Sequence, residues 1–437
     1  MRIGVFPTVN DAVLAARKAY ERYMELGINE RQQIVDAIKQ RLESEVEIIA
    51  RMTVEETGMG CVEDKIRKLR LAIEKTPGVE DLVTEVKTGD HGMTLFELSS
   101  YGVVCAIHPC TNPCATLINN TIGMLAAGNA VIHCPNPRAV KVSVYVTELI
   151  SNVIVNVCGI DNLVVTLNES LMMLTDEVMH HPDVDMIVVT GGNGVLYEAM
   201  KSGKKVIGAG PANPVAIVDE TADMEKAAFD IVQGASFDHN IMCTSEKSIV
   251  IVSEAAENFI RELRRNQVYF VNEEDERQRL SQLAVTSDRR INRKLEGKSA
   301  NEILKQAGIS CDREIKLIVV ETAKHHPFAT IELLMPIVPL IKVMDFEEAL
   351  ETAKEIEQNY HHTAMIHSQC IDRLNEAAKK MQTAVFVKNG SSLAGLGFLG
   401  EGPTSFTIAT ATGEGTTSAR HFTRRRRCTL TSGFSIR

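Results

Sequence analysis

Long apolar runs are missing from this 437-residue sequence. Its amino end, MRIGVFPTVNDAVLAARKAYERYMEL, threads Asp11, Arg17, Lys18 and Glu21 through the apolar positions, so it reads as neither signal peptide nor membrane span. The longest apolar stretches elsewhere read as strand-length. An excess of basic charge is missing too: 47 Lys and Arg stand against 57 Asp and Glu, for a formal net charge of -10. That balance disfavours the broad basic surface that grips nucleic-acid phosphates. The exception is Arg424 to Arg427. So short a run reads first as a solvated strand edge or as subunit-interface ion pairs, with RNA, an acidic partner or nucleotide phosphates as the other reading. The ten cysteines lack the dense spacing of a small secreted scaffold, which implies reduced thiols and a cytoplasmic setting. There is no GxSxG elbow, no Walker A loop and no HExxH, so serine hydrolases, P-loop NTPases and zincins lose their simplest support.

What is present reads as a soluble globular protein of two or three domains. Apolar residues at helical spacing (Val13, Leu14, Ala16, Ala19, Tyr20, then Ile34, Val35, Ile38 and Leu42) predict two or more amphipathic helices over residues 11 to 57. From Tyr101 the pattern becomes repeated β-α: VVCAI, a helix over 115 to 127, AVIHC, a helix near 140 to 150, and NLVVTL. DMIVVT then runs into Gly191, Gly192, Asn193 and Gly194 and a helix over 195 to 201. A second α/β stretch carries strands at 247–252, 316–321, 337–343, 363–367 and 384–388. The expectation is two doubly wound α/β domains plus a small β oligomerisation element. Residues 1–87 and 101–212 would form the nucleotide-binding domain and 213–403 the catalytic one. Residues 88–100 and 404–437 would be strands that pair with another subunit in a homo-oligomer, dimer or tetramer.

Candidate chemistry concentrates at few places. A strand, glycine turn and helix start can cradle phosphate, but Gly192-Asn193-Gly194 lacks the third glycine of the dinucleotide fingerprint, and turn glycines also arise for steric reasons. Cys243 lies in a loop between a helix over 223 to 233 and a strand, with Gly234 giving backbone freedom upstream. It is either a nucleophile or a small buried apolar side chain. Cys110, Cys114 and His108 suggest zinc only weakly, because no second ligand pair lies nearby, and no metal site is expected. The pairs His180/His181, His325/His326 and His361/His362 read as surface or capping residues.

Four segments together are identified with a known family: FDHNIMCTSEKSIVIV (237 to 252), VVTGGNGVLYEAMKSGKKVIGAGPANPVAIVDETAD (188 to 223), YGVVCAIHPCTNPCATLINN (101 to 120) and TGEGTTSARHFTRRRRC (412 to 428). They resemble the CoA-acylating branch of the aldehyde dehydrogenase superfamily, above all the propionaldehyde and acetaldehyde dehydrogenases of bacterial microcompartments. The likeness covers nearly the whole chain. It implies that Cys243 adds to the aldehyde carbonyl, and that the Asn112 amide and the Cys243 backbone N–H stabilise the oxyanion. Before Pro113, Asn112 could equally serve as a turn residue.

The resemblance further implies NAD and coenzyme A as cofactors, with Thr190, Gly191 and Gly192 at the dinucleotide turn and Glu332 holding the nicotinamide ribose. Where many relatives carry a lysine for the adenosine ribose, this chain reads His133-Cys134-Pro135-Asn136-Pro137, and Pro135 marks that subsite. NAD is favoured over NADP because no basic pair waits there for a 2′-phosphate. Water-using relatives place a general-base glutamate in an E-L-G-G-K segment. The matching stretch here, Ala209-Gly210-Pro211-Ala212-Asn213, has none, so the acyl group is expected to leave on CoA, and the reaction to run in either direction. Ile241 and Met242 suggest a small apolar pocket for a short-chain aldehyde of two or three carbons, each methylene of which would add only about 1–3 kcal/mol of discrimination. Relatives often carry an extra amphipathic helix and linker that direct packaging. This sequence opens at Met1-Arg2-Ile3-Gly4-Val5-Phe6, where their catalytic body opens, so a microcompartment shell as partner is implied by likeness alone. Neither nucleic acid nor membrane is expected as a partner.

Overall fold

Four helices open the chain, at Val9–Tyr23, Ile28–Glu43, Val46–Thr57 and Val62–Lys75. The first begins where the Thr8 hydroxyl accepts the Asp11 N–H at 3.3 Å. It buries Val9, Ala12, Val13, Ala16, Ala19 and Tyr23, the three- and four-residue spacing of one helix face. The computed structural model describes residues 2–433. Met1 and the FSIR end of the expected strand segment CTLTSGFSIR lie outside the described residues.

Two compact units are present: 1–56, 66–209 and 403–437 form the first, and 57–65 with 210–402 the second. The first holds β1 (Val5–Phe6), β2 (Glu85–Gly89), β3 (Gly92–Ser100), β4 (Val103–Ile107), β5 (Ala130–Cys134), β6 (Val164–Leu167), β7 (Met186–Thr190) and β8 (Lys205–Ala209). The second holds β9 (Val215–Val218), β10 (Ser248–Val252), β11 (Val268–Val271), β12 (Leu317–Glu321), β13 (Ile337–Val343), β14 (Thr363–His367) and β15 (Val385–Lys388). The chain then returns to the first unit as β16 (Ile408–Ala409), β17 (Gly415–Thr416) and β18 (Thr423–Thr431).

In the first unit six parallel strands lie in the order β1-β6-β5-β4-β7-β8. Strands β4 to β7 of this sheet are buried on both faces, which is why they read as unbroken apolar runs rather than as alternation. From β4 the chain winds outward through β5 to β6, then restarts at β7 on the other side. The strand order therefore reverses between β4 and β7, and in doubly wound sheets the crevice for a ligand opens at such a reversal, outside the carboxyl ends of the strands. The second unit has seven parallel strands in the order β11-β12-β13-β10-β9-β14-β15.

A separate antiparallel sheet runs β18-β3-β2, with Thr423 opposite Ser100 and Thr431 opposite Gly92. Gly92 has φ +117, and a Cβ there would sit 2.1 Å from the Leu430 carbonyl oxygen, so the close strand approach needs glycine. Helices match the expected positions with shifted ends, at Pro113–Ala126, Asn193–Lys201 and Met224–Ser236. One expectation fails: the apolar stretches are not all strand-length. Residues 137–158 are long and apolar enough to cross a membrane by length and composition. Their helix, Val140–Cys158, runs eight residues beyond the expected end, stops at Gly159 in the left-handed region, and buries Val142, Val144, Val146, Ile150 and Ile154 inside the first unit. It is a core helix.

Candidate active site

The carboxyl edge of the first sheet gathers five of the expected site residues. Asn112 follows β4, Pro135 follows β5, and Thr190 ends β7 with Gly191 and Gly192 after it, on strands adjacent in the order β5-β4-β7. Asn112 caps the helix Pro113–Ala126, with Pro113 at its first position, yet its side chain makes no capping hydrogen bond. The amide oxygen is instead held by the ammonium of Lys68, itself 1% exposed on the helix Val62–Lys75, and Nδ2 reaches Thr111 Oγ1 at 3.3 Å. Besides standing before Pro113, Asn112 is thus held through its amide oxygen by a buried ammonium.

At the end of β7, Thr190 Oγ1 bonds Thr407 Oγ1 at 2.7 Å, and Thr407 Oγ1 also donates to Asn120 Oδ1 at 3.1 Å. The glycines that follow are not demanded by packing, since a Cβ at Gly191, Gly192 or Gly194 would meet nothing within 4 Å. They leave open space before the helix Asn193–Lys201, whose amino end has no side-chain cap. Unsatisfied N–H groups facing open space favour an anionic group. Pro135 is buried, with its carbonyl accepting from Ser170 Oγ at 2.5 Å. His133 is committed to the interior: Nδ1 bonds His108 Nε2 at 2.8 Å and Nε2 bonds Thr121 Oγ1 at 2.9 Å. Burial holds the His108 ring neutral, pushing it down to about 3, and holds His133 well below the usual histidine range.

The amino edge of the second sheet gathers the others. Cys243 precedes β10 by five residues and Glu332 precedes β13 by five, and β10 pairs with β13, so both stand at one end of two neighbouring strands. Asn213 precedes β9 and His362 precedes β14 at the same edge. Cys243 is half-buried, and Ile241 and Met242 before it are buried. The preceding turn is unusual: Asp238, His239 and Asn240 all have positive φ, at 48°, 55° and 61°. Such residues cost energy one by one and persist where the surroundings hold them.

The restraints on this turn are explicit. Lys65 Nζ pairs with Asp238 Oδ2 at 2.9 Å, Cys61 N–H donates to Asp238 Oδ1 at 3.0 Å, and Asp238 N–H donates to Asp64 Oδ2 at 2.8 Å. His239 Nδ1 bonds the Gly297 carbonyl at 2.8 Å. Lys247 Nζ donates at 2.5 Å to both the carbonyl and the side-chain oxygen of Asn240, whose Nδ2 donates to the Ala235 and Glu246 carbonyls. Burial pulls the Lys247 ammonium below its usual range and pushes the Glu332 carboxyl up, and the two charges restrain each other's shift. Lys247 also feels the charge of Cys243, which places a cation within electrostatic reach of that sulfur.

Two expectations about this edge are corrected. Gly234 does not give backbone freedom upstream of Cys243. It lies inside the helix Met224–Ser236, and a Cβ there would meet Glu246 Oε2 at 2.1 Å, so glycine makes room for a buried carboxyl whose oxygens accept from Ser392 N–H at 2.8 Å and Ser392 Oγ at 2.7 Å. Nor are all the paired histidines on the surface. His362 is buried and burial pushes it down to about 4, whereas His326 does cap the helix Pro327–Thr330. In the stretch 209–213, Asn213 is fully buried and donates to the Ala329 and Ile356 carbonyls, both at 2.8 Å.

The profile of the aldehyde dehydrogenase family matches residues 7–406. The chain belongs to the aldehyde dehydrogenase family. It is 47% identical over 435 residues to the propanal dehydrogenase (CoA-propanoylating) of Salmonella typhimurium, covering 99% of this chain and 93% of that protein. It is similar to Rhodopseudomonas palustris propionaldehyde dehydrogenase solved with bound CoA and an acylated cysteine, with a TM-score of 0.98, 45% identity and 99% of each chain covered. It is similar also to a propionaldehyde dehydrogenase from the Clostridium phytofermentans fucose utilisation bacterial microcompartment, with a TM-score of 0.97, 41% identity and full coverage of both chains. The two parallel sheets and the small antiparallel sheet are the α/β aldehyde dehydrogenase fold.

Within this aldehyde dehydrogenase, sequence reasoning passed over Lys65, Lys68, Lys247, Glu246 and Thr407. The sequence held little signal for the lysines: Lys65 and Lys68 lie three residues apart on one helix, and Lys247 follows Thr244, Ser245 and Glu246 in a polar approach to β10, so nothing local marks these cations as buried.

Proposed function

We propose that this aldehyde dehydrogenase is CoA-acylating and converts a short-chain aldehyde, NAD and coenzyme A to an acyl-CoA and NADH, with propionaldehyde or acetaldehyde as substrate. Cys243 is the nucleophile. Its sulfur bonds the carbonyl carbon while the carbonyl oxygen takes negative charge, which the Asn112 amide and the Cys243 backbone N–H stabilise. Collapse of this thiohemiacetal expels hydride and leaves a thioester on Cys243. NAD, when bound, supplies the hydride acceptor. The open glycine turn after Thr190 and the uncapped helix at Asn193 fit its phosphates, Glu332 fits the nicotinamide ribose, and Pro135 lines the adenosine side. The thiol of CoA then attacks the thioester carbonyl, and Cys243 leaves as the thiolate.

The observation that carries this reading is the use made of the stretch 209–213. Water-using relatives open the matching stretch with a glutamate, where this chain has Ala209, and the stretch closes on Asn213, whose Nδ2 donates to two main-chain carbonyls. General-base help contributes typically ~10²–10⁴-fold, so water is a poor acceptor here. A thiol needs less help, and thioester exchange is nearly isoenergetic, so the reaction is reversible. The likeness to the Salmonella and Rhodopseudomonas enzymes supports the same acceptor and substrate class.

Self-association into a dimer or tetramer fits the free edge of β18, whose residues 424–431 are exposed. A microcompartment setting rests on the Clostridium relative. The test of the acylating reading is NADH formation from propionaldehyde with and without CoA, for the parent and for Cys243→Ala. CoA-dependent turnover that vanishes in Cys243→Ala is expected. Steady production of free acid in the absence of CoA would overturn it.

A further inference from the structure

A primary amide presents two ends of nearly equal shape and opposite polarity, and only one of them stabilises an anion. Which end faces a ligand is decided by what holds the other. At Asn112 the holder is Lys68, whose ammonium has donors and no lone pair, so the atom facing it is the carbonyl oxygen. We propose that Lys68 is the positioning residue of the oxyanion site: its buried ammonium captures Asn112 Oδ1 and so commits Nδ2 to face the substrate oxygen. The inference rests on the role given to Asn112 above.

Three features support it. The Asn112 side chain stands at a helix amino end, where an asparagine ordinarily turns its oxygen to the first-turn N–H groups, and it makes no such bond. An oxygen turned to those N–H groups would release the amide from Lys68. The ammonium is also as buried as any apolar core residue, at 1% exposure. A buried cation is costly to maintain, and a methionine would fill the same volume at lower cost if packing were all that mattered. Finally, a cation bound to the amide oxygen draws electron density from the N–H bonds and adds positive potential where negative charge develops, in surroundings of low dielectric. Lys68 touches neither substrate nor nucleotide in this account. It acts through Asn112.

The experiment compares Lys68→Met, Lys68→Arg, Asn112→Ala and the double variant Lys68→Met/Asn112→Ala in the CoA-dependent NADH assay. The rate of Cys243 alkylation by iodoacetamide serves as a control for an intact nucleophile. Removing one oxyanion donor costs about 10²–10³-fold in kcat. Lys68→Met is expected to approach that loss with KM for aldehyde changed less than about threefold and alkylation unchanged. Lys68→Arg, which keeps a cation, recovers part of the rate, and the double variant is no slower than Asn112→Ala. Should Lys68→Met fail to fold, Lys68→Gln carries the same comparison. Two losses that multiply in the double variant, or a Lys68→Met with parental kcat beside a slow Asn112→Ala, overturn the proposal. A parental kcat in Asn112→Ala removes the oxyanion role of Asn112 itself, and the proposal falls with it.

Discussion

Lys65 and Asp238 form an ion pair at 2.9 Å with both side chains almost wholly out of solvent, across 173 residues of chain. The pair fixes the first of three consecutive left-handed residues, and Cys243 stands three residues beyond the last of them. Removing one member of a buried pair leaves the other charged and uncompensated, which costs about 3–5 kcal/mol. Lys65→Met is therefore expected to lower the denaturation midpoint and the rate of Cys243 alkylation together. The double variant Lys65→Met/Asp238→Asn, which leaves no orphan charge, is expected to regain most of the stability. Urea unfolding of the parent and the two variants decides this, and equal midpoints for the single and double variants would contradict it.

Gly60 meets the same carboxylate from the other side. It has φ +75, and a Cβ there would lie 1.9 Å from Asp238 Oδ1. Gly60→Ala thus combines a left-handed alanine, at about 1–2 kcal/mol, with displacement of Asp238. Its expected signature is a lower melting temperature and at least about a tenfold loss of kcat, because misplacing a reacting group by an ångström is enough to cost that much. Gly58, also left-handed at φ +67 but with open space around its Cβ, is the control: Gly58→Ala carries the backbone cost alone and should keep kcat.

Glu246 makes stability depend on pH. Burial pushes its carboxyl up to about 7, above the ordinary 4.5 of the unfolded chain. The folded state therefore holds a proton that the unfolded state has already released. The resulting stability is fully present below pH 4.5 and is lost as pH rises through 7, at about 1.4 kcal/mol per pH unit at most. Glu246→Gln is expected to flatten this limb of the urea midpoint against pH between 5 and 8. An unchanged slope would show that Glu246 is ionised in the folded protein.

The buried histidines act on the opposite limb. Burial pushes His108 down to about 3 and His362 and His367 to about 4, so the folded chain refuses protons that the unfolded chain accepts near 6.5. Their contribution is present above pH 6.5 and is lost as pH falls toward 4. A steep acid limb between pH 6.5 and 4.5 is expected in denaturation midpoints, shallower in His367→Gln. A parent whose midpoint holds constant over that range would refute the assignment.

Much of the architecture was legible because it is written locally. Strands such as Val103–Ile107 and Met186–Thr190 are covered on both faces, so burial imposes unbroken β-branched runs that stand out against the amphipathic helices between them. The helix Val140–Cys158 was read short because Ser151, Asn152 and Asn156 break its apolar run, although Ser151 is buried with its hydroxyl on the Val164 carbonyl. Residues 57–65 gave no sign of belonging with 210–402, since their partners, Asp238 and Gly297, are distant in sequence and a Gly-Met-Gly turn looks alike in any setting. At the site, the motif around Cys243 was legible as chemistry, whereas the cations that hold it were not. A lysine declares its charge in the sequence but not its burial, and Lys65, Lys68 and Lys247 are the residues on which the geometry turns.

The excursion of residues 57–65 into the second unit bears on how the protein is made. During synthesis, Gly60, Cys61 and Lys65 leave the ribosome well before Asp238 and Gly297 exist to receive them, and Val104, Val131 and Val188 of the first unit leave it well before Ala409 and Phe422, which complete their core. All of residues 210–402 must be made in between. The apolar strands of the first sheet therefore wait, incompletely covered, while the second unit emerges, and the yield in a cell is expected to depend on chaperones that shield them.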